Sequence, residues 1–342
     1  VKILFIVPHG NRPSTRYRVM KLVPALRGRG LECEVVPLPD SLFARLRLFR
    51  RCRGYDIVFL QRKLLPTPLF RYLRANARRL AYDFDDAVAY REESVSSGHG
   101  ERHDLSRTRT RRFSQTVRAV DMVIAGNRYL AGLALEHGAP QGKVEVLPTS
   151  IDIERWGPKS RQGKEEDTAV LGWMGTKGNL RYVVEIAPAL AKLGQRYPQV
   201  SLKLVCDAFV DIPGIKTEKK IWRESEESDD VRSFDMGIAP LPDNPWTRGK
   251  CAFKILTYSA SGIPVVCSPV GANREAVIDG ETGFLAANEK EWLDRLSLLV
   301  EDRELRERMG GKGRSYIASK YSSELTGNEL AGLLNELGEG VR

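Results

Sequence analysis

Short apolar runs alternate with longer segments whose apolar residues recur every three or four positions. In the first half, strand-like runs fall at 2–7 (KILFIV), 32–37, 56–60 (DIVFL), 80–84, 121–125 (DMVIA) and 144–147. Helix-like segments near 14–28, 41–52, 67–78, 103–118 and 127–137 separate them. The pattern then starts again: strands at 169–174 (AVLGWM), 201–206 (SLKLVC), 235–239 (DMGIA) and 264–267 (PVVC) alternate with helices near 179–194, 223–232, 249–261 and 289–300. Charged helical segments run from about 302 to 337. Strands separated by helices predict βαβ units and parallel sheets. The fold expected is therefore α/β, with one Rossmann-like domain over 1–150 and a second over 169–320.

The stretch 151–168, whose polar tail after Gly157 has no apolar period, reads as the linker between them. Ligands of such sheets bind beyond the carboxyl ends of the strands, near helix N-termini. A chain of 342 residues with 42% apolar and 29% charged residues has the material for two packed cores. Five scattered cysteines without a Cys-x-x-Cys pair argue against a disulfide framework or a zinc site and for a reducing, cytoplasmic setting. No apolar run reaches the length of a membrane span, and the N-terminal run lacks a signal-peptide pattern.

Charge is distributed unevenly along the chain. The net charge is +10, and residues 1–160 carry 29 Lys+Arg against 16 Asp+Glu, while the remainder carries 25 against 28. SLFARLRLFRRCRG (41–54) and LFRYLRANARRL (69–80) are basic amphipathic stretches. They suit an anionic membrane surface, which places the protein on the inner face of the cytoplasmic membrane, a phosphorylated acceptor or nucleic acid, or else they are solvated arginine faces. Nucleic acid is the less favoured partner.

The candidate chemistry gathers in three places. In GKCAFKILTYSASGIPVVCSPVG (249–271), Arg248, Lys250 and Lys254 fall at the predicted start of the helix 249–261, with the two lysines on one face. Cations are disfavoured beside the positive end of a helix unless an anion sits among them, so the trio reads as a phosphate or diphosphate socket or as solvated cations. GWMGTKGN (172–179) follows the first strand of the second half. Its Gly175 and Gly178 permit a tight turn, without the full dinucleotide or Walker pattern. LAYDFDDA (80–87) ends a strand in Asp83, Asp85 and Asp86. Clustered carboxylates raise one another's pKa and often mark function, although a helix cap explains them too. Arg16 and Arg18 follow the first strand, where they face a phosphate or the surface. His9 ends that strand. His99 and His103 are flanked by glycines that argue against a helical metal pair, and no metal or other cofactor is expected.

Taken in order, VPHGNRPSTRYRV, LPTSID, WMGTKGN and above all KCAFKILTYSASGIPVVCSPVGANREAVIDGETGFLA (250–286) make the chain resemble glycosyltransferase family 4, also called group 1. The resemblance spans nearly the whole chain, and its last segment is the most specific. It implies the GT-B fold: two facing Rossmann-like domains with an interdomain cleft, and a C-terminal helix, 321–342, crossing back to the first domain. It implies transfer of a sugar from a UDP- or GDP-linked donor to the hydroxyl of a carbohydrate or lipid-linked acceptor, with retention and without metal, in polysaccharide or glycolipid assembly.

By the same resemblance, Gly175, Thr176, Arg248, Lys250 and Lys254 hold the donor diphosphate. Thr257 offers a hydroxyl to ribose or base, and Asp85, which orients the sugar or acceptor, and Lys254 are catalytic; by their places after the first strand, and not by the resemblance, His9, Arg16 and Arg18 serve the acceptor or a phosphate. The chain departs from the family at several positions: Gly249 and Thr257 stand where it usually carries glutamates, and Thr176 where it carries an arginine. Asp85 stands at a position usually held by histidine. A non-catalytic module for polyanions or anionic lipid and a GT-B-like sugar-nucleotide epimerase remain alternatives, as does the Asp-x-Asp metal site of GT-A enzymes for the carboxylate cluster.

Overall fold

The structure, a computed structural model, describes residues 1–8, 12–90, 107–158 and 168–339. His9, His99, His103 and most of the polar half of the expected linker lie outside the described residues. The chain divides into two units. The first is Val1–Ser150 with Arg248–Cys251 and Ser323–Arg342, and the second is Ile151–Thr247 with Ala252–Ser322.

The first unit is built on six parallel strands: β1 (Lys2–Val7), β2 (Glu32–Pro37), β3 (Ile57–Gln61), β4 (Arg79–Phe84), β5 (Met122–Ala125) and β6 (Val144–Val146). Their order is β2-β1-β3-β4-β5-β6. The inner strands β3 (IVFLQ) and β5 (MVIA) are buried along their whole length, as in a parallel sheet with both faces covered. Ile3, Phe5, Ile57, Phe59 and Ile124 form a core with Leu26 and with Leu330, Ala331 and Leu334 of the helix Ser323–Glu339. Gly327 permits the close approach of that helix, since a Cβ there would stand 2.6 Å from the Ala25 Cβ.

The second unit repeats the plan with β7 (Ala169–Met174), β8 (Val200–Cys206), β9 (Lys216–Ile221), β10 (Met236–Ala239), β11 (Val265–Cys267) and β12 (Phe284–Leu285), ordered β12-β11-β10-β7-β8-β9 and again parallel. The expected α/β class is found in both units. The hydropathy pattern does not announce β9 or β12. β9 (KTEKKI) is a half-exposed edge strand held by backbone pairing to β8, and its lysines blunt the open edge. β12 has only two residues.

Three expected helices are interrupted. The segment 14–28 splits into Pro13–Thr15, a π-helical turn Arg16–Met20 and Val23–Gly28, with Pro24 opening the last piece. The segment 179–194 becomes Lys177–Glu185 and Ala187–Arg196, with Pro188 in the first turn of the second. The segment 249–261 is helical only from Phe253 to Ala260; Ala252, before it, has a left-handed backbone with φ of 54°. In each unit the chain leaves one strand toward both sides of the sheet, from β1 to β2 and β3 and from β7 to β8 and β10. The carboxyl ends of β1/β3 and β7/β10 are the switch points where ligands of open α/β sheets bind.

Candidate functional site

In the first unit a charge network occupies the ends of β3 and β4. Arg62 follows β3 and adopts a left-handed backbone with φ of 56°, unusual for a residue other than glycine, asparagine or aspartate. Its side chain reaches Asp85 Oδ1 at 3.1 Å and Asp86 Oδ2 at 2.7 Å. Lys250 Nζ lies 3.2 Å from Asp86 Oδ1. Two cations thus face two carboxylates. Burial pushes the Asp85 carboxyl up; Arg62 pulls it down, Asp86 adds to the rise, and the net direction is upward. Burial also works against the Arg62 charge, but Asp85 and Asp86 outweigh it and raise its pKa.

The segment Arg248–Cys251 is held in this unit by Asn127. The Asn127 side-chain amide donates to Lys250 O at 3.1 Å and Arg248 O at 3.3 Å, while its carbonyl caps the helix Arg128–Glu136 by accepting from Leu130 N at 2.8 Å. The Cys251 thiol donates to Asp85 O at 3.3 Å, and burial followed by the Asp85 charge raises its pKa, keeping it protonated. Gly249 and Gly126 permit this contact: a Cβ on Gly249 would stand 2.7 Å from Ala87 N, and one on Gly126 2.6 Å from Cys251 Sγ.

These contacts correct the reading of the lysine pair. Lys250 is not on a helix, so it shares no helical face with Lys254. It serves Asp86 in the first unit, whereas Lys254 belongs to the second. Arg248 is exposed and ends the short helix Pro245–Arg248 rather than opening the next. Arg18 is not a phosphate ligand at the surface: it is 2% exposed and grips Asp83, 1% exposed, through Nε at 2.9 and 3.0 Å and through Nη2. Its Nη1 donates to Leu147 O at 2.9 Å. Burial opposes the Arg18 charge, and Asp83 overcomes that and raises its pKa. Arg16 is half-buried, with its guanidinium 5.3 Å from the centre of the Tyr17 ring.

In the second unit the end of β7 faces the first turn of the helix Phe253–Ala260. Lys254 Nζ lies 5.4 Å from the centre of the buried Trp173 ring. A Cβ on Gly175 would meet the Trp173 ring at 2.6 Å and Lys254 Cε at 3.2 Å, so Gly175 lets the lysine stem pass close to the β7 turn. Thr176 is exposed and precedes the helix Lys177–Glu185, whose first amide donates to Asp207 Oδ1 at 2.7 Å. The Tyr258 hydroxyl accepts from Met174 N at 2.9 Å and ties the helix Phe253–Ala260 to β7. Thr257 is fully buried and its hydroxyl donates to Lys254 O at 2.8 Å, which corrects its assignment to ribose: the hydroxyl is engaged within the helix that carries Lys254. Sequence reading missed Arg62, Asn127 and Trp173. Asn127 alone had a signal, standing directly before an apolar helical run as N-caps do.

Residues 251–316 match the family model described as glycosyl transferases group 1. Over 240 residues the chain is 28% identical to the D-inositol 3-phosphate glycosyltransferase of Kribbella flavida, a match covering 62% of this chain and 55% of that relative. The chain thus spans little more than half the length of that curated relative. Its fold is similar to that of HepE from Anabaena, solved with UDP and glucose (TM-score 0.73, 15% identity, 97% of this chain and 99% of the other). It is also similar to sucrose-phosphate synthase from Thermosynechococcus elongatus (TM-score 0.72, 14% identity, 99% of each chain). At such identities the likeness shows the fold alone, and that fold is GT-B. The group 1 segment contains Lys254, Thr257 and Tyr258; Trp173, Gly175 and Thr176 adjoin it within the same unit.

Proposed function

We propose that the protein transfers a sugar from a nucleoside diphosphate sugar, UDP- or GDP-linked, to an acceptor hydroxyl, and that the second unit holds the donor. The observation that carries the reading is the approach of Lys254 to the Gly175 turn at the end of β7, beside the β7/β10 switch point and next to the group 1 segment. As the glycosidic C–O bond breaks, the departing diphosphate gathers negative charge. A fixed ammonium group stabilises that charge without reorganisation, and loss of one such group costs about 10²–10³ in rate. Gly175 and Thr176 contribute the backbone around the phosphates.

Asp85 is proposed to orient the sugar or acceptor on the first unit. The reaction is proposed to run with retention and without a metal ion. The pairing of Asp83 with Arg18, and of Asp85 and Asp86 with Arg62 and Lys250, supports the metal-free reading, because these carboxylates already have cations. Retention follows from the group 1 resemblance, and the anomeric proton signal of the product tests it. The acceptor is proposed to be a carbohydrate or a lipid-linked hydroxyl in polysaccharide or glycolipid assembly at the inner face of the cytoplasmic membrane. An inositol phosphate is the second acceptor to test, because the Kribbella flavida relative is named for one.

The test is a thermal-shift panel, since a ligand that binds only the folded state raises the unfolding midpoint. UDP or GDP should raise it and the corresponding monophosphate should do so far less. A panel in which no nucleoside diphosphate has any effect contradicts the proposal. Isomerisation of a nucleotide sugar without an acceptor would move the assignment to an epimerase.

A further inference from the structure

Phe43 is 83% exposed, the most exposed large apolar side chain among the described residues, and Leu42 beside it is 54% exposed. Both stand in the first turn of the helix Leu42–Arg51 (LFARLRLFRR). Phe43, Arg47 and Arg50, at spacings of four and three, form one exposed stripe. On the opposite side Leu48 and Phe49 are buried. The helix Thr67–Asn76 (TPLFRYLRAN) packs alongside, burying Phe70 and Leu73 and exposing Pro68, Arg71 and Ala75. Neither helix carries an acidic residue.

Three neighbouring acids are already engaged, Glu34 by Arg51 at 2.8 Å, Asp56 by Arg78 at 3.5 Å and Asp121 by Arg74 at 3.1 Å, which leaves the exposed Asp40, two residues before the helix, against four arginines. Among the described residues, Arg47, Arg50, Arg53 and Arg71 have no ion pair or hydrogen bond. A surface with an aromatic ring held out into water and a ring of unneutralised guanidinium groups has the chemistry of a helix that lies in the headgroup layer of an anionic bilayer. There the ring enters the acyl boundary and the arginines meet phosphates.

We infer that the face made by the helices Leu42–Arg51 and Thr67–Asn76 docks on an anionic lipid surface, with Phe43 inserted and Arg47, Arg50, Arg53 and Arg71 on the headgroups. The inference deepens the proposed setting at the membrane. It stands apart from the donor reading, because vesicle binding requires neither donor nor acceptor.

The test is co-sedimentation of the full chain with phosphatidylcholine vesicles with and without phosphatidylglycerol. The protein should partition onto the phosphatidylglycerol vesicles and be released by salt. An arginine near an anionic leaflet is worth roughly fivefold in partition, so the double variant Arg47→Gln/Arg50→Gln should lose about 25-fold. Phe43→Ser should lose roughly tenfold or more. Arg308→Gln, at an exposed position on the helix Arg303–Tyr321 of the second unit, should bind as the wild type does. All four positions are exposed, so unfolding midpoints should not move. Equal partition onto the two kinds of vesicle, or wild-type partition of both the Phe43 and the Arg47/Arg50 variants, overturns the inference. So does a single-stranded RNA that occupies the same arginines and that phosphatidylglycerol vesicles fail to displace.

Discussion

Lys250 Nζ stands 3.2 Å from Asp86 Oδ1 in the first unit, while Lys254, four residues on, belongs to the second. Two lysines that look equivalent in the sequence thus have different tasks, and substitution should separate them. Lys250→Gln removes a partly exposed ion pair, so urea unfolding should show a loss of about 1 kcal/mol or less. Nucleoside diphosphate affinity, measured by calorimetry, should stay within about threefold of wild type, because no donor contact is assigned to Lys250.

The Arg18–Asp83 pair is buried, and breaking such a pair strands a charge. Arg18→Met or Asp83→Asn should each cost about 3–5 kcal/mol in urea unfolding. Arg18→Lys should not restore the loss, since a single ammonium group cannot reproduce the fork that meets both carboxylate oxygens and Leu147 O. Removing both charges together with Arg18→Met/Asp83→Leu should recover part of the stability lost by either single change.

Gly175 sits where a Cβ would stand 2.6 Å from the Trp173 ring and 3.2 Å from Lys254 Cε. Gly175→Ala should cost about 1–3 kcal/mol through overpacking. It should also weaken nucleoside diphosphate binding by tenfold or more, because the lysine stem must move. Gly142→Ala, which meets nothing within 4 Å, is the matched control and should change neither quantity.

His137 supplies a pH dependence. Burial lowers its pKa, Glu136 raises it and Arg118 lowers it, with a net downward direction. Its Nδ1 lies 2.9 Å from Ser114 Oγ, and its ring packs edge-on against Phe113. Because the folded state favours the neutral ring, the stability it contributes is complete above the ordinary histidine value near 6.5. That contribution is lost as the pH falls through the lowered folded value. The unfolding midpoint should drop between pH 7 and pH 5, and the drop should be smaller in His137→Gln.

The sheets could be read from the sequence because buried parallel strands are continuous apolar runs. All six strands of the first unit lie within a residue or so of their expected bounds. β9 could not be read, because backbone pairing and not apolar burial holds KTEKKI in place. The site was legible in part. The positions of Gly175 and Lys254 follow from strand ends and glycine chemistry, which are local. Arg62 is 24 residues from Asp86, and Lys250 is 164 from it, so their meeting depends on the order of strands in the sheet. The left-handed backbone at Ala252, which ends the excursion of Arg248–Cys251 into the first unit, has no glycine or asparagine to announce it.

Lys254 is proposed to hold the diphosphate of the donor. Calorimetric titration of UDP and GDP into the wild type and into Lys254→Ala tests it most directly. At least one of the two should bind the wild type, and Lys254→Ala should weaken it by tenfold or more at an unchanged unfolding midpoint. A Lys254→Ala protein that binds that nucleotide as tightly as the wild type contradicts that role.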